Sequence, residues 1–172
     1  RTTPDCLPYF IKEKNIELFT RHKVFSETEI RARYEILLEN YSKLLNIEAV
    51  TMLDMANKDL LPAYSAYAQK LSDTLNAKKS AMPDADCTFE TERLKQISAL
   101  TGDMYRKTQA LEGTLLDLVQ KDFDELGRAQ YYQRTVFHAM AELRIVADEL
   151  ESITDRSFYP YPNYGDLLFG VR

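Results

Sequence analysis

The chain has 172 residues, 45% of them apolar, with five glycines and no tryptophan, enough for one domain with a real core. A net charge of −5, with basic clusters only at Arg21–His22–Lys23 and Lys78–Lys79, argues against a nucleic-acid surface. Two cysteines, Cys6 and Cys87, at no metal-ligand spacing argue against a disulfide scaffold or zinc site and fit a reducing, cytoplasmic compartment, while no apolar run is long enough for a membrane and no signal peptide is visible.

Taken in order, Thr3-Pro4-Asp5 opens a short helical turn, with Thr3 as cap and Pro4 in the first turn. A helix over about Pro8–Thr20 follows, its apolar side made by Phe10, Ile11, Leu18 and Phe19. Arg21–Phe25 is a connector. Ser26-Glu27-Thr28-Glu29 is a capping box, and the stretch behind it has no glycine and only one proline, Pro62, before Lys79. Ile30, Tyr34, Leu37, Leu38, Tyr41, Leu44 and Leu45 recur at three- and four-residue intervals, and the stripe continues through Ala49, Met52, Ala56, Leu60, Tyr67, Leu71 and Leu75. Pro62 lacks an N–H and is expected to kink this helix, because the periodicity resumes beyond it. A straight helix of that length would span roughly 80 Å, longer than a compact domain of this size can cover.

Ser80–Asp86 reads as a loop, and Asp86 or Thr88 caps the next helix. Leu94, Ile97, Thr101, Met104, Thr108, Leu111, Leu115 and Leu118 hold heptad spacing there, interrupted by Gly102 and Gly113, for which close helix approach is the expected reason. The chain reverses around Lys121–Gly127. A last long helix, to about Ile153, buries Tyr132, Val136, Ala139, Met140, Leu143, Ala147, Leu150 and Ile153. The tail, residues 158–172, is broken by Pro160 and Pro162. Its Phe158, Tyr159, Tyr161, Tyr164, Leu167, Leu168 and Phe169 are too apolar for a free end, so it is expected to dock. The fold class is therefore all-α: a single helical domain over 1–172, an antiparallel bundle built on one long Pro-kinked helix, with an irregular aromatic C-terminal tail.

Sites for chemistry are scarce. No GxGxxG or Walker sequence is present, and neither histidine completes a Glu-x-x-His. Cys6 is expected to be buried or semi-buried, His22 to offset a helix dipole, and His138 to lie at the surface or in a hydrogen bond. Glu48, near the apolar stripe, is read as an edge residue or as the partner of an arginine such as Arg134 or Arg144. No catalytic, cofactor-binding or metal-ligating residue is assigned.

Several separated words agree, in order, with a known family. LPYF (Leu7–Phe10), EKNIELF (Glu13–Phe19), HKVF (His22–Phe25), RYEILLENY (Arg33–Tyr41) and NIEAVTM (Asn46–Met52) come first. YYQRTVFHAMAELRIVADELE (Tyr131–Glu151) and YPYPNYGDLLF (Tyr159–Phe169) close the set. Together they resemble the C-terminal region of type III glutamine synthetase, over nearly the whole chain and most weakly in Ala77–Thr101. The resemblance implies a parent enzyme of nitrogen metabolism, a glutamate–ammonia ligase that uses ATP and a divalent metal, magnesium or manganese, in large double-ring oligomers. Its catalytic motifs lie upstream of this region, so none is carried over, and activity of this chain by itself stays open. The start at Arg1 instead of Met is expected of an excised fragment, and an engineered start would look the same.

The expected role is architectural, with partners in the catalytic domain of the parent chain and in neighbouring subunits. The surface expected to make those contacts is the overhanging row Ile30, Tyr34, Leu37, Leu38, Tyr41, Leu44 and Leu45, because the later helices, folded back from Lys79, reach only to about Leu45. Two alternatives stand beside it. A regulatory module binding a small metabolite requires a sizeable apolar pocket with convergent polar groups. An autonomous helical scaffold requires the overhang to be covered within the chain.

Overall fold

A computed structural model describes residues 2–162 and 164–170 and shows an all-α fold. Helices α1 (Thr3–Phe10), α2 (Glu13–Arg21) and α3 (Glu27–Met55) are followed by a π-helical segment, Ala56–Leu60, that runs directly into α4 (Leu61–Ala81). Helix α5 (Thr88–Gln120) comes next, then α6 (Glu125–Tyr131), a second π-helical segment (Tyr132–Val136), α7 (Phe137–Ile153) and the short α8 (Tyr164–Phe169). The chain divides into two compact units. One comprises Arg1–Thr51 with Leu111–Met140, the other Met52–Ala110 with Ala141–Arg172.

In the first unit, α1 is capped one residue earlier than Thr3. The Thr2 N–H and hydroxyl both donate to Asp5 Oδ2, at 3.0 and 2.9 Å. The single helix expected over Pro8–Thr20 is split at Ile11–Lys12. Asn15 Nδ2 donates to the Tyr9 carbonyl across the break, and the bend brings Phe10 against Phe19 (centroids 5.7 Å) and Phe19 against Phe25 (5.9 Å). These ring contacts between half-buried aromatics favour the bend over a continuous helix. Lys23 closes α2 in the left-handed region (φ 55°), where the Val24 N–H reaches back to the Phe19 carbonyl at 3.0 Å. The box before α3 is fully formed: Ser26 N–H and Oγ donate to Glu29 Oε2 at 2.7 and 2.8 Å, and Glu29 N–H donates to Ser26 Oγ at 3.3 Å. The core of this unit holds Pro4, Ile30, Leu38, Leu45, Ala49, Leu111, Ala129, Tyr132 and Val136.

Helix α6 starts inside the stretch read as a reversal. Asp124 caps it by accepting from Gly127 N at 2.7 Å, and a Cβ at Gly127 would sit 2.7 Å from that same oxygen. An alanine here would displace the capping carboxylate. At Gly113, by contrast, an added Cβ would have nothing within 4 Å, and at Gly102 it would meet only the end of Arg106 at 3.6 Å, so close helix approach explains neither. Gly113→Ala is expected to raise stability by about 1 kcal/mol through helix propensity. Gly127→Ala should lower it by about the worth of an N-cap, ~1 kcal/mol. Paired urea titrations check both signs.

In the second unit the helices alternate in direction. Lys78 of α4 meets Glu90 of α5 across the intervening loop. Arg93 Nη1 donates to the Ile153 carbonyl at 3.1 Å and Lys107 Nζ to Glu142 at 2.9 Å, so α5 and α7 run antiparallel. The loop after α4 and the start of the tail therefore share one end of this unit. The π-helical segment precedes Pro62: Leu61 N–H bonds the Ala56 carbonyl five residues back, and the wider turn lets the helical path continue past a residue with no N–H. Ala56, Leu60, Tyr64, Tyr67, Leu71, Ile97, Met104, Leu143, Val146 and Leu150 form the core.

Carboxylates that accept capping or ion-pair bonds are held below their usual range. Backbone and side-chain bonds from Thr2 act on Asp5, from Ser26 on Glu29, from Thr88 on Asp86 and from Ser157 on Asp155, while the Lys78 ammonium acts on Glu90. A depressed folded-state pKa contributes stability above the unfolded value, about 3.9 for Asp and 4.3 for Glu, and loses it as pH falls through the folded value. The thermal midpoint should hold between neutrality and roughly pH 4.5 and drop below that. A midpoint that rises on acidification would contradict this.

Candidate functional site

The apolar row of α3 is divided by the fold. Ile30, Leu38 and Leu45 are buried in the first unit and cannot meet a partner, Tyr34 and Tyr41 are half-buried, and Leu37 and Leu44 are exposed. The row expected as a contact surface is thus partly enclosed within its own unit, with no exposed surface on Ile30 and Leu38. Glu125, Arg128 and Tyr132 share an open cleft of about 350 Å³ with Glu39, Ser42, Lys43, Asn46 and Ile47. The Tyr132 hydroxyl donates to Asn46 Oδ1 at 3.0 Å.

A second, outward-facing row on the same helix was not singled out from the sequence. Ile36, Leu37, Leu44, Ile47 and Val50 are 45–61% exposed, on the side turned away from Leu38, Leu45 and Ala49. At 100° per residue the centres of the two rows are about 170° apart. Their shared three- and four-residue spacing hid one inside the other.

The tail is seated at its first half. The Phe158 ring packs on Tyr67 (centroids 5.4 Å), Tyr159 OH donates to Glu151 Oε2 at 3.0 Å, and Tyr161 OH donates to Asp59 Oδ2 at 2.7 Å. Burial first, then the acidic partner, pushes the phenols of Tyr159 and Tyr161 up to about 12. Pro160 and Pro162 keep this segment irregular, yet the helical turn α8 follows, tied back by an Arg156–Asp166 ion pair. Leu167, Leu168 and Phe169 on α8 are exposed. The Tyr164 side chain lies outside the described residues.

The remaining chemical candidates stay apart. Cys6 is exposed on the first turns of α1, contrary to the expected burial, and Cys87 is buried. His22 caps the end of α2, and His138 and Glu48 are exposed; Glu48 therefore takes the edge position. Glu90 is the one acidic side chain found buried among the described residues, paired with Lys78 Nζ at 2.5 Å. Among the described residues no three His, Cys, Asp or Glu side chains converge as a metal site, and no helix is long and apolar enough to cross a membrane. A groove of about 560 Å³ in the second unit, lined by Leu61, Pro62, Ala68, Thr101 and Tyr105 among others, is open at the surface. Asn57, Ser65 and Ser98 also line it, but it is open and not the enclosed pocket that a metabolite module requires.

Comparison with known proteins agrees with the quoted words. Residues 1–79 match the family described as the glutamine synthetase C-terminal domain. The chain is 39% identical, over its whole length, to a glutamine synthetase of Butyrivibrio fibrisolvens, covering 24% of that protein. It is 28% identical over 98% of its length to a type-3 glutamine synthetase of Dictyostelium discoideum, covering 23% of it. A glutamine synthetase of Bacteroides fragilis is 24% identical over 96% of the chain, with 23% of its own length covered. The chain thus spans about a quarter of the length of the curated relatives it matches.

Proposed function

The chain belongs to the glutamine synthetase family, within its C-terminal domain, and on that premise we propose that it serves as the architectural helical domain of a longer, cytoplasmic type III enzyme. In that enzyme the reaction is the ATP-dependent ligation of ammonia to glutamate, assisted by a divalent metal. This region positions the catalytic part and contributes contacts between subunits, with no catalytic centre of its own. The observation that carries the reading is the outward apolar row Ile36, Leu37, Leu44, Ile47 and Val50, borne by a chain that covers only a quarter of its relatives. Apolar rows of that kind on a finished surface mark an interaction site.

The residues present do not fit the nucleotide or the metal. A divalent ion needs converging oxygen ligands, and a triphosphate needs clustered backbone N–H groups with a cation. Among the described residues no such acidic group converges. No reaction step is routed through this region. Titration of the chain with ATP and magnesium in a calorimeter should give no binding heat, and the chain should form no glutamine from glutamate, ammonia and ATP. In the full-length enzyme, Leu44→Asp with Ile47→Asp should reduce assembly on sedimentation. Saturable nucleotide binding by the chain, or normal assembly of the double variant, would overturn the reading.

A further inference from the structure

The exposed row of α3 has the register of a coiled-coil seam. Leu37, Leu44 and Thr51 occupy one core position and Asn40 and Ile47 the other, over about 20 Å of helix. Each of these residues is exposed. Flanking the seam on one side are Ile36, Lys43 and Val50, and on the other Tyr41 and Glu48.

We propose that this face docks in parallel, in register, against the same face of a second copy of the chain. This deepens the proposed subunit-contact role and rests on it. The argument is complementarity. In a parallel two-stranded pairing, a flanking residue of one helix meets the opposite flank of its partner five positions further on. That spacing sets Lys43 against Glu48 of the second copy, twice by symmetry, and sets Ile36 against Tyr41. By the two-fold symmetry each side of the seam carries the same two matches, one of charge and one of apolar contact. An antiparallel pairing sets each flank against its own kind. The lysine side then meets only Ile36, Lys43 and Val50, and Glu48 meets only Tyr41 and Glu48, so no opposite charges face each other.

Asn40 falls on itself across the in-register seam, and a polar pair at one core position is the usual device for fixing register. Lys43 presently lies 2.6 Å from Glu39 in an exposed pair on its own helix, a weak bond that the lysine can leave or share. The helix is already held by the buried face of its unit through Leu38, Leu45 and Ala49, so docking has no helix-nucleation cost to overcome.

Sedimentation velocity of the intact chain tests this, with helicity followed by circular dichroism. A concentration-dependent dimer is expected. Lys43→Glu or Glu48→Lys alone should weaken it about tenfold, since both symmetric pairs turn repulsive, and the two changes together should restore it. In a Cys6→Ser background, Ile47→Cys should oxidise to a homodimer linked at that position, whereas Glu39→Cys should not. A chain that stays monomeric at millimolar concentration, a dimer indifferent to the charge exchange, or cross-linking of Leu44→Cys to Ile47→Cys in preference to like positions would overturn the proposal. None of these outcomes touches the calorimetric test of the proposed function. Nucleotide binding by the chain, in turn, would leave the dimer standing.

Discussion

Leu38→Ala is expected to remove about 2–5 kcal/mol of stability, whereas Leu44→Ala on the same helix should stay within about 0.5 kcal/mol. Both are leucines in the apolar row, and local sequence does not separate them. The difference is burial. Leu38 is fully enclosed, so truncation leaves a cavity that its unit cannot refill. Leu44 is 61% exposed, and shortening it removes little that water did not already touch. Thermal unfolding at low protein concentration makes the comparison, because any self-association would lend Leu44 an apparent contribution by mass action. If the two variants lost equal stability under those conditions, the division of α3 into an inner and an outer face would be wrong.

What could be read in the sequence was governed by the range of the interaction. The Ser26–Glu29 box is a four-residue device, and its hydrogen bonds form as written. The heptad seam of α5 is local too, and Ile97, Met104, Thr108 and Leu111 are buried along it. The break between α1 and α2 was not legible, because Ile11 and Lys12 are no helix breakers. It is caused by Phe10 folding onto Phe19, a contact between helices. The π-helical turn before Pro62 shifts hydrogen-bond register without any change in apolar periodicity, so no pattern announces it. The site suffered most. A stripe drawn through Ile30, Tyr34, Leu37, Leu38, Tyr41, Leu44 and Leu45 sums two faces, and only the packing of the first unit decides which members remain outside. Ile36, Ile47 and Val50 belonged to a second stripe whose spacing was visible but whose exposure was not. The quoted family words identified the family, where physical pattern alone stopped at a long helix seeking partners.

Tyr64→Phe should stabilise the chain, by about 1–3 kcal/mol, the cost of a buried polar group left without a partner. Tyr64 has no exposed surface, and its hydroxyl is buried with no hydrogen bond in the structure. Burial, followed by the nearby Tyr159 and the carboxylates of Glu151 and Asp148, pushes its phenol far up, so the neutral form is the one that must be satisfied. The neighbouring acceptors bond elsewhere: Glu151 takes the Tyr159 hydroxyl at 3.0 Å and Asp148 takes Arg144 Nε at 2.7 Å. Phenylalanine keeps the ring and its packing while removing the orphaned oxygen. Tyr161→Phe makes the opposite case. Its hydroxyl is spent on Asp59, so its loss should loosen the tail and raise the rate of proteolysis around Ser157–Pro162. The decisive reading is the sign of the shift in thermal midpoint, upward for Tyr64→Phe and not for Tyr161→Phe. A Tyr64→Phe variant that lost stability would require the hydroxyl to be bonded in solution to a group it does not reach here.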